Sequence, residues 1–543
     1  MSEGKGKTLR WNFIVTWNTM VTKSSESENA KELVDRFMIA LYRFQTEGRV
    51  AYRRICGMHG GGGGNSDLKF KEILQDKMNK DISTHYNGEF PDNYTWPNPV
   101  PNCPFPKKFD QKEAFAYTFC WHAEPQFIVW HRPLMIEFER GLQQYDPKEF
   151  ANDNDRYYGP EALGVPYWAW ETWDGLTLPY QFTISSYYVQ SSKFKGWTEG
   201  TKFNNPLFRW FAPVSLEQQV IEYFPPSLTE SNCSTRSQAF TDMNIPHDLP
   251  WPTRSEEGNP SMLEVVNHSM TEPDFMKFCT VKPGVGGGTW SIENPHNKFH
   301  NHIGGLYYGG IQGAGHSTNF DNFEFTGTMA QNQSIFDPIF WLHHSNIERQ
   351  LVSWQNIWYP AKGKMPTQDV LDTVLYPWTK PTELEKGHFS WNTPSSSDND
   401  ATFNDWWTAE LPYEYDQYLV SLEPTLTHLH LLQSGKTVSF APNFKENRTR
   451  LEAKLTKGIH GGEFTVYYTD ESGKSSLVST ISILNAWGSG CARCAQKAQG
   501  FSIDFEVSHF IPDVKKFEEI KKGLSLKRLD KEIEVSDWSF SKF

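Results

Sequence analysis

The chain has little cysteine, no long hydrophobic run and no excess of basic residues. Seven cysteines among 543 residues are a sparse and odd set, which does not form the disulfide scaffold of a small secreted domain. No apolar run approaches the roughly 18 residues that a membrane-spanning helix needs. The net charge of −13, with both signs interspersed, argues against nucleic acid as a partner, because its binders concentrate basic residues on one face.

The N-terminus also lacks the apolar segment of a secretory signal. The stretch MSEGKGKTLRWN carries charge and is not followed by the about 7–15 apolar residues that a signal peptide contains. We therefore expect an intracellular, cytoplasmic protein with reduced thiols, no membrane partner and no nucleic-acid partner. The sequence leaves the oligomeric state open, so a homo-oligomer stays among the alternatives.

Aromatic residues are abundant, and the first part of the chain has a helical pattern. Aromatics make up 15% of the sequence, with 21 Trp and 38 Phe, so the interior should be rich in rings. Residues 29–47 and 133–145 show apolar residues at helical spacing. Asp337 and Pro338 should open a further helix, because Asp caps helix N-termini and Pro fits the first turn.

The pattern changes near residue 416. Residues 463–469 and 501–507 alternate apolar and polar residues with the period of two that is typical of strands. A charged tail, KKFEEIKKGLSLKRLDKE, is expected to follow them. The sequence thus predicts a mainly α domain over residues 1–415 and a β-rich C-terminal domain over residues 416–543.

The spacing of histidines is the strongest chemical signal in the chain. His296 and His300 are four residues apart, so on a helix they share one face. His343 and His344 lie on the helix that Asp337 opens. Any one of these could be an ordinary core histidine, but the set is better explained by a metal, because a buried imidazole needs partners for both ring nitrogens.

Further histidines stand in apolar or glycine-rich surroundings. His122 and His131 lie among aromatics in TFCWHAEPQFIVWHRP, and His59 lies in CGMHGG. No carboxylate or thiolate stands at a comparable ligand spacing, so the implied ligand set is all imidazole. Imidazole suits Zn, Cu, Fe and Ni, and ligand type alone therefore does not identify the metal.

Three segments together resemble the two copper-binding regions of the tyrosinase family of type 3 copper proteins. They are CWHAEPQFIVWHR, HNKFHNHIGG and DPIFWLHHSNIERQLVSWQ, and they agree with the family in order and internal spacing. The resemblance covers most of residues 50–415 and is nearest to fungal-type tyrosinases with a C-terminal CxxC domain. It implies a four-helix bundle around two copper ions, with O2 as co-substrate.

Carried over residue by residue, the resemblance assigns three imidazoles to each copper. The first copper would be held by His59, His122 and His131, and the second by His296, His300 and His344. The first histidine of the pair, His343, would be a neighbour. Fungal members join a cysteine to a ligand histidine by a thioether, which would here link Cys120 to His122.

Several residues depart from the family pattern, which commonly has Pro in place of Ile128 and Asp in place of Ala169. Ala123 stands where the family usually has Gly, directly after a ligand. Pro133 follows the ligand His131 closely, and it should start or kink the helix that carries this ligand.

The resemblance also implies a reaction. Family members hydroxylate monophenols to o-diphenols and oxidise o-diphenols to o-quinones, which would suit tyrosine- and DOPA-type substrates and pigment (melanin) formation. Glu293 and Asn297 match the pair that holds a catalytic water in members active on monophenols. The alternatives are a catechol or o-aminophenol oxidase without monophenol activity and a haemocyanin-like oxygen carrier.

In relatives with this architecture the C-terminal domain covers the copper site and keeps the enzyme latent. Leu484 or Trp487 would then occupy the place of the substrate, and a cleavable linker would lie near residues 416–460. Cys491 and Cys494 form one CxxC, which the resemblance favours as a copper-loading site over a redox pair or half a zinc site. Gln331, thirteen positions before the last ligand, would be a polar gate residue.

Overall fold

The computed structural model describes two parts of different secondary structure. The described residues are 6–22, 24–48, 51–52, 55–56, 59, 120–173, 178–208, 210, 262–304, 329, 332–359, 363–384, 400–421, 439–440, 449–455, 462–483, 502–507, 517–528 and 531–542. The helices are α1 (Phe13–Met20), α2 (Ser27–Thr46), α3 (Phe127–Gln144), α4 (Met262–Thr271), α5 (Phe275–Cys279), α6 (Glu293–Gly304), α7 (Ile339–Trp358), α8 (Gln368–Leu371), α9 (Pro381–Leu384), α10 (Phe403–Trp407) and α11 (Phe517–Lys521).

Strands are short in the first part and longer in the second. They are β1 (Thr8–Arg10), β2 (Ser186–Tyr188), β3 (Lys202–Asn204), β4 (Val374–Thr379), β5 (Asp400–Thr402), β6 (Tyr413–Tyr415), β7 (Val420–Ser421), β8 (Ser439–Phe440), β9 (Thr449–Leu455), β10 (Gly462–Thr469), β11 (Ser475–Ile483), β12 (Ser502–Glu506), β13 (Leu524–Arg528), β14 (Lys531–Ile533) and β15 (Val535–Lys542). A four-stranded sheet has the order β11-β10-β13-β14, and a three-stranded sheet has the order β12-β9-β15. The expected helical part followed by a β-rich part is confirmed.

Helices α2, α3, α6 and α7 form the helical core. Helix α3 packs against both α2 and α7, and α6 meets α7 through buried histidines. The predicted helix at residues 29–47 is confirmed as α2, and α3 is buried along almost its whole length. Aromatic side chains fill the space between these helices, for example Phe138 stacked on Trp341 with ring centroids 3.7 Å apart.

Pro133 does not start the helix that carries His131. Helix α3 begins at Phe127, and Pro133 lies inside it, so the prediction of a helix over residues 133–145 is wrong about its beginning. Proline lacks a backbone N–H and removes one bond of the helical ladder. The buried contacts of this helix on both sides of the proline explain why it continues through that position.

Helix α7 begins as the sequence predicts. The Asp337 carboxylate accepts a hydrogen bond from the backbone N–H of Ile339 at 3.0 Å, and Pro338 has a helical φ of −60°. The acceptor satisfies one of the N–H groups that have no partner within a helix. The helix that carries His343 and His344 therefore has a fixed first turn.

The β-rich part has its own apolar core. Leu451, Phe464, Val466 and Phe505 are fully buried among its strands, and Val281 of the helical part joins the same cluster. The domain boundary near residue 416 stays a prediction. The charged tail expected after the strands is wrong, because β13 pairs with β10 inside the sheet and its alternate side chains contribute to the core.

The β-rich part docks on the segment that precedes α6. The hydroxyl of Thr289 donates to the carbonyl of Thr480 at 3.1 Å, and the backbone N–H of Gly284 donates to the Asp504 carboxylate at 2.6 Å. Burial raises the pKa of Asp504 above its ordinary value. In the described part of the chain, the helices are too short or too polar to cross a bilayer.

Candidate metal centre

Helices α6 and α7 bring four histidines together. His296 and His300 lie one turn apart on α6, as their spacing predicts, and both are fully buried. With His343 and His344 of α7 they offer ligand atoms within 4.8 Å of one another. The Nε2 atoms of His296 and His344 are 3.3 Å apart. Two imidazoles about 2 Å from one tetrahedral metal ion would have nitrogens about 3.3 Å apart.

Hydrogen bonds from the opposite ring nitrogens orient two of these imidazoles. His300 Nδ1 donates to the carbonyl of Met329 at 2.9 Å, and His296 Nδ1 donates to Oδ1 of Asn297 at 3.0 Å. Each bond fixes the tautomer in which Nε2 carries a lone pair. His300 Nε2 is buried and has no hydrogen-bond partner among the described residues. A metal ion is the partner that fits this nitrogen.

His343 takes a different position from its neighbour. Its ring is parallel to Phe299 at 3.9 Å and close to parallel with His296 at 4.9 Å, as measured between centroids. His296 and Phe299 are three residues apart on α6, so the His343 ring stacks against both. Within the described residues, neither of its ring nitrogens has a hydrogen-bond partner. The structure places it in the cluster as a stacked ring.

The first cluster comes from three separate segments. His59, Cys120, His122 and His131 offer ligand atoms within 4.8 Å of one another. His131 lies on α3, where its Nδ1 donates to the carbonyl of Phe127 at 2.7 Å. The His59 ring lies 5.3 Å from that of His131 and 5.7 Å from that of His122, between centroids. All three predicted ligands of the first copper therefore meet at one place.

The two clusters face each other. The rings of His131 and His344 stack at 4.3 Å, and those of His122 and His296 lie 5.7 Å apart. Phe127 separates the groups along one side, 4.5 Å from the His296 ring. The arrangement is compatible with two neighbouring metal ions, each facing about three imidazoles.

Cys120 lies against the first cluster. Its Sγ is 3.5 Å from Nδ1 and 3.7 Å from Nε2 of His122, and 3.3 Å from Nε2 of His131. Because the sulfur is at similar distances from Nδ1 and Nε2 of His122, it lies near the plane midway between these two atoms. That plane contains Cε1 of the ring. The sulfur and the His122 ring are thus close enough to react with modest movement.

The surrounding protein keeps these imidazoles neutral. Burial lowers the pKa of His131 to about 3 and that of His300 to about 4. Burial and neighbouring imidazoles hold the pKa values of His122, His296 and His344 well below their ordinary range. Metal ions bind neutral imidazole, so protons compete little with a metal near neutral pH.

Glu293 has contacts that the sequence did not predict. It is the first residue of α6 and is fully buried. Its carboxylate accepts hydrogen bonds from the backbone N–H of Ala123 at 2.5 Å, the hydroxyl of Thr280 at 2.8 Å and the backbone N–H of Val281 at 2.9 Å. Ala123 has a φ of +53°. The family's glycine at this position was the available signal for such a left-handed backbone.

Several predicted residues lie outside the described part of the chain. They are Gln331, Leu484, Trp487, Cys491 and Cys494. Their predicted roles as gate, substrate mimic and copper-loading pair therefore stay predictions.

Known proteins resemble this chain in both sequence and fold. The family model for the common central domain of tyrosinase matches residues 52–357. A tyrosinase of Podospora anserina is 28% identical over 254 residues, which are 44% of this chain and only 39% of that protein. Hemocyanin 2 of Megathura crenulata is 24% identical over 277 residues, which are 50% of this chain and 6% of that protein.

Solved structures share the fold. A tyrosinase of Burkholderia thailandensis superposes with a TM-score of 0.57 at 14% identity, covering 99% of this chain and 100% of that one. An identity this low supports a common architecture and no finer statement. The fold of this chain therefore has a counterpart of known structure.

Proposed function

The chain belongs to the tyrosinase family, and from that premise we propose that it is a dicopper oxidase of phenols that uses O2. The observation that carries the proposal is the pair of buried, neutral histidine clusters that face each other across ring distances of 4.3 to 5.7 Å. A structural zinc site would instead close all four positions of one ion, and would more often include cysteine.

The proposed ligands are three imidazoles for each copper. The first set is His59, His122 and His131, and the second is His296, His300 and His344. Bound copper would supply a Lewis acid for the phenolic oxygen and a site for O2. The unsatisfied Nε2 of His300 and the 3.3 Å separation of His296 and His344 support this assignment.

The chain's own residues would orient ligands, exclude water and handle a proton. Phe127, Phe340 and Trp130 are fully buried beside the imidazoles, so these rings exclude water from their side of the site, while His122 is half-buried. A phenol has a reference pKa of about 10 and must lose its proton, which a positioned base assists. In this proposal Glu293 and Asn297 hold the water that accepts it.

Monophenol hydroxylation is tested by the change Asn297→Ala in copper-loaded protein trimmed of its C-terminal part. The change should reduce the initial rate on tyrosine about 10–100-fold more than the rate on DOPA, because the proposed role of the water is to accept the proton of the monophenol. Rates of coloured quinone formation from each substrate give the ratio. Equal losses on both substrates would contradict the role of the water.

The same experiment distinguishes two alternative functions. An oxidase that acts only on catechols or o-aminophenols would form quinone from DOPA and none from tyrosine. A carrier like the Megathura hemocyanin, which is 24% identical, would bind oxygen reversibly without turnover of either substrate. Quinone from both substrates supports the tyrosinase-type activity, and no turnover of either contradicts the oxidase.

We also propose that residues 416–543 form a domain that covers the site and keeps the enzyme latent. Its contacts with the segment before α6, through Thr480 and Asp504, support a cover close to the second cluster. Limited proteolysis in the linker predicted near residues 416–460 should then raise the rate on DOPA. An unchanged rate after cleavage and separation of the two fragments would contradict latency.

We further propose that Cys491 and Cys494 deliver copper to the site.

A thioether between Cys120 and His122 completes the proposal. The 3.5 Å contact between Cys120 Sγ and His122 Nδ1 supports the crosslink. Bond formation removes the thiol hydrogen and one ring hydrogen, and O2 accepts the two electrons. The intact mass of copper-loaded protein should be two hydrogens lower than the mass calculated from its sequence. The Cys120→Ala variant should match its own calculated mass.

A further inference from the structure

We propose that Glu293 is a positioning residue that ties the segment carrying His122 to the helix carrying His296 and His300. The inference rests on copper binding by both clusters, as proposed above, and it adds a role to Glu293 that does not depend on a bound water. One buried carboxylate would thereby hold the two halves of the centre in register.

The contacts of Glu293 join segments that are distant in the chain. Ala123 follows His122 directly and lies 170 residues before Glu293. Thr280 and Val281 belong to the segment that docks the β-rich part. Three donors converge on one carboxylate at 2.5 to 2.9 Å, and hydrogen bonds to an ionised acceptor in a buried setting are strong and directional.

The backbone at Ala123 shows why this tie is needed. A non-glycine residue at a φ of +53° is disfavoured by contacts of its Cβ atom. In this conformation the N–H of Ala123 donates to Glu293 Oε1. Without that acceptor, the disfavoured conformation would lose a hydrogen bond that stabilises it. Glu124 adds an ion pair to Lys282 at 2.8 Å between the same two segments, in a more exposed position.

The chain offers a matched control for Glu293. Asp35 on α2 is also fully buried, and it too accepts hydrogen bonds from one hydroxyl, of Tyr187, and from two backbone N–H groups, of Gln190 and Ser191. None of these three partners belongs to either histidine cluster. Loss of charge at Asp35 should therefore destabilise the fold without a specific effect on the metal centre.

The test compares Glu293→Gln with Asp35→Asn in the full-length, copper-loaded protein. The Gln side chain retains one acceptor oxygen and presents an NH2 donor to a backbone N–H donor. We expect copper to be released to a chelator about 10–100-fold faster from Glu293→Gln, the range found when groups that orient metal ligands are removed. Asp35→Asn should release copper at the wild-type rate, although both variants lower the thermal midpoint.

A milder variant covers the case in which Glu293→Gln does not fold. Thr280→Val removes one donor and keeps the carboxylate, so copper release should rise about two- to fivefold, in line with one lost hydrogen bond. The inference would be overturned if folded Glu293→Gln, or Thr280→Val in its place, released copper at the same rate as Asp35→Asn. Failure of the proposed function would be seen separately, as wild-type protein that holds copper but does not oxidise DOPA.

Discussion

The two histidine clusters differ in how the chain builds them. In the second cluster all four imidazoles lie on two packed helices, α6 and α7, within short stretches of sequence. In the first cluster His131 lies on α3, whereas His122 lies in a non-helical segment before that helix. Rigid helices fix a ligand set through their own hydrogen bonds, whereas a loop ligand needs support from elsewhere.

The difference indicates which contacts stabilise each histidine cluster. The second cluster should keep its geometry as long as α6 and α7 stay packed. The first should depend on contacts that hold the segment of His122, such as the bond from Ala123 to Glu293. We therefore expect copper to leave the first cluster before the second under a chelator.

The largest effect is expected for a ligand of the second cluster and not for its neighbour. His344→Ala should halve the copper content and reduce DOPA oxidation by about a hundredfold or more, because it removes a nitrogen that faces His296. His343→Phe should retain both coppers, because a phenyl ring can keep the stacking on Phe299 and the proposed ligand set does not include His343. Copper analysis of both variants makes the comparison, and loss of copper from His343→Phe would make that residue a ligand.

An intermediate effect is expected where the β-rich part meets the start of α6. A Cβ atom at Gly288, whose φ is +55°, would lie 2.8 Å from the backbone oxygen of Asp504, whereas at Gly284, with φ of +75°, it would meet nothing within 4 Å. Gly288→Ala and Gly284→Ala should both cost about 1 kcal/mol from the left-handed backbone. Only Gly288→Ala should add about 1–3 kcal/mol from overpacking.

Thermal unfolding and limited proteolysis of the two glycine variants measure the difference. Gly288→Ala should raise the rate at which protease cleaves the linker predicted near residues 416–460, and Gly284→Ala should not. Equal cleavage rates in both variants would contradict a role of the close contact between Gly288 and Asp504 in docking the β-rich part.

The smallest effect is expected at Ala123 in the first cluster. Ala123→Gly should stabilise the protein by up to about 1 kcal/mol, because glycine adopts a φ of +53° without strain. Part of the gain should be lost with the methyl group, which packs against the core of the β-rich part. Ala169→Gly, at an ordinary φ of −72°, should instead destabilise by about 0.5–1 kcal/mol. Denaturant midpoints check both signs, and a shift of the same sign in both would contradict the strain.

The same difference between clusters decides how much the sequence could predict. The helical spacing of His296 and His300 predicts a metal site, and Asp337 predicts the start of the helix that carries His344. The cluster of His59, His122 and His131 has no common periodicity, so only the family resemblance grouped these residues. The predictions that failed involve tertiary packing. Pro133 is tolerated inside a buried helix, and the charged residues after Lys515 fold into β13 because alternate positions such as Leu526 are apolar.

The contacts of Glu293 also lay beyond the reach of the sequence. Its partners Ala123, Thr280 and Val281 are distant along the chain, and nothing in their local pattern links them. The glycine that the family usually has in place of Ala123 indicates a left-handed backbone, but it does not identify the acceptor that the N–H faces. Roles of this kind follow from packing and are found only in the folded structure.

The most direct test of the central claim is the copper content of purified, copper-reconstituted full-length protein, measured by elemental analysis against protein concentration. If each histidine group binds one copper, the copper content should be two per chain in the wild type and one per chain in His344→Ala. A wild-type content of one or fewer, or a content unaffected by His344→Ala, would contradict the assignment of the two clusters to a pair of copper ions.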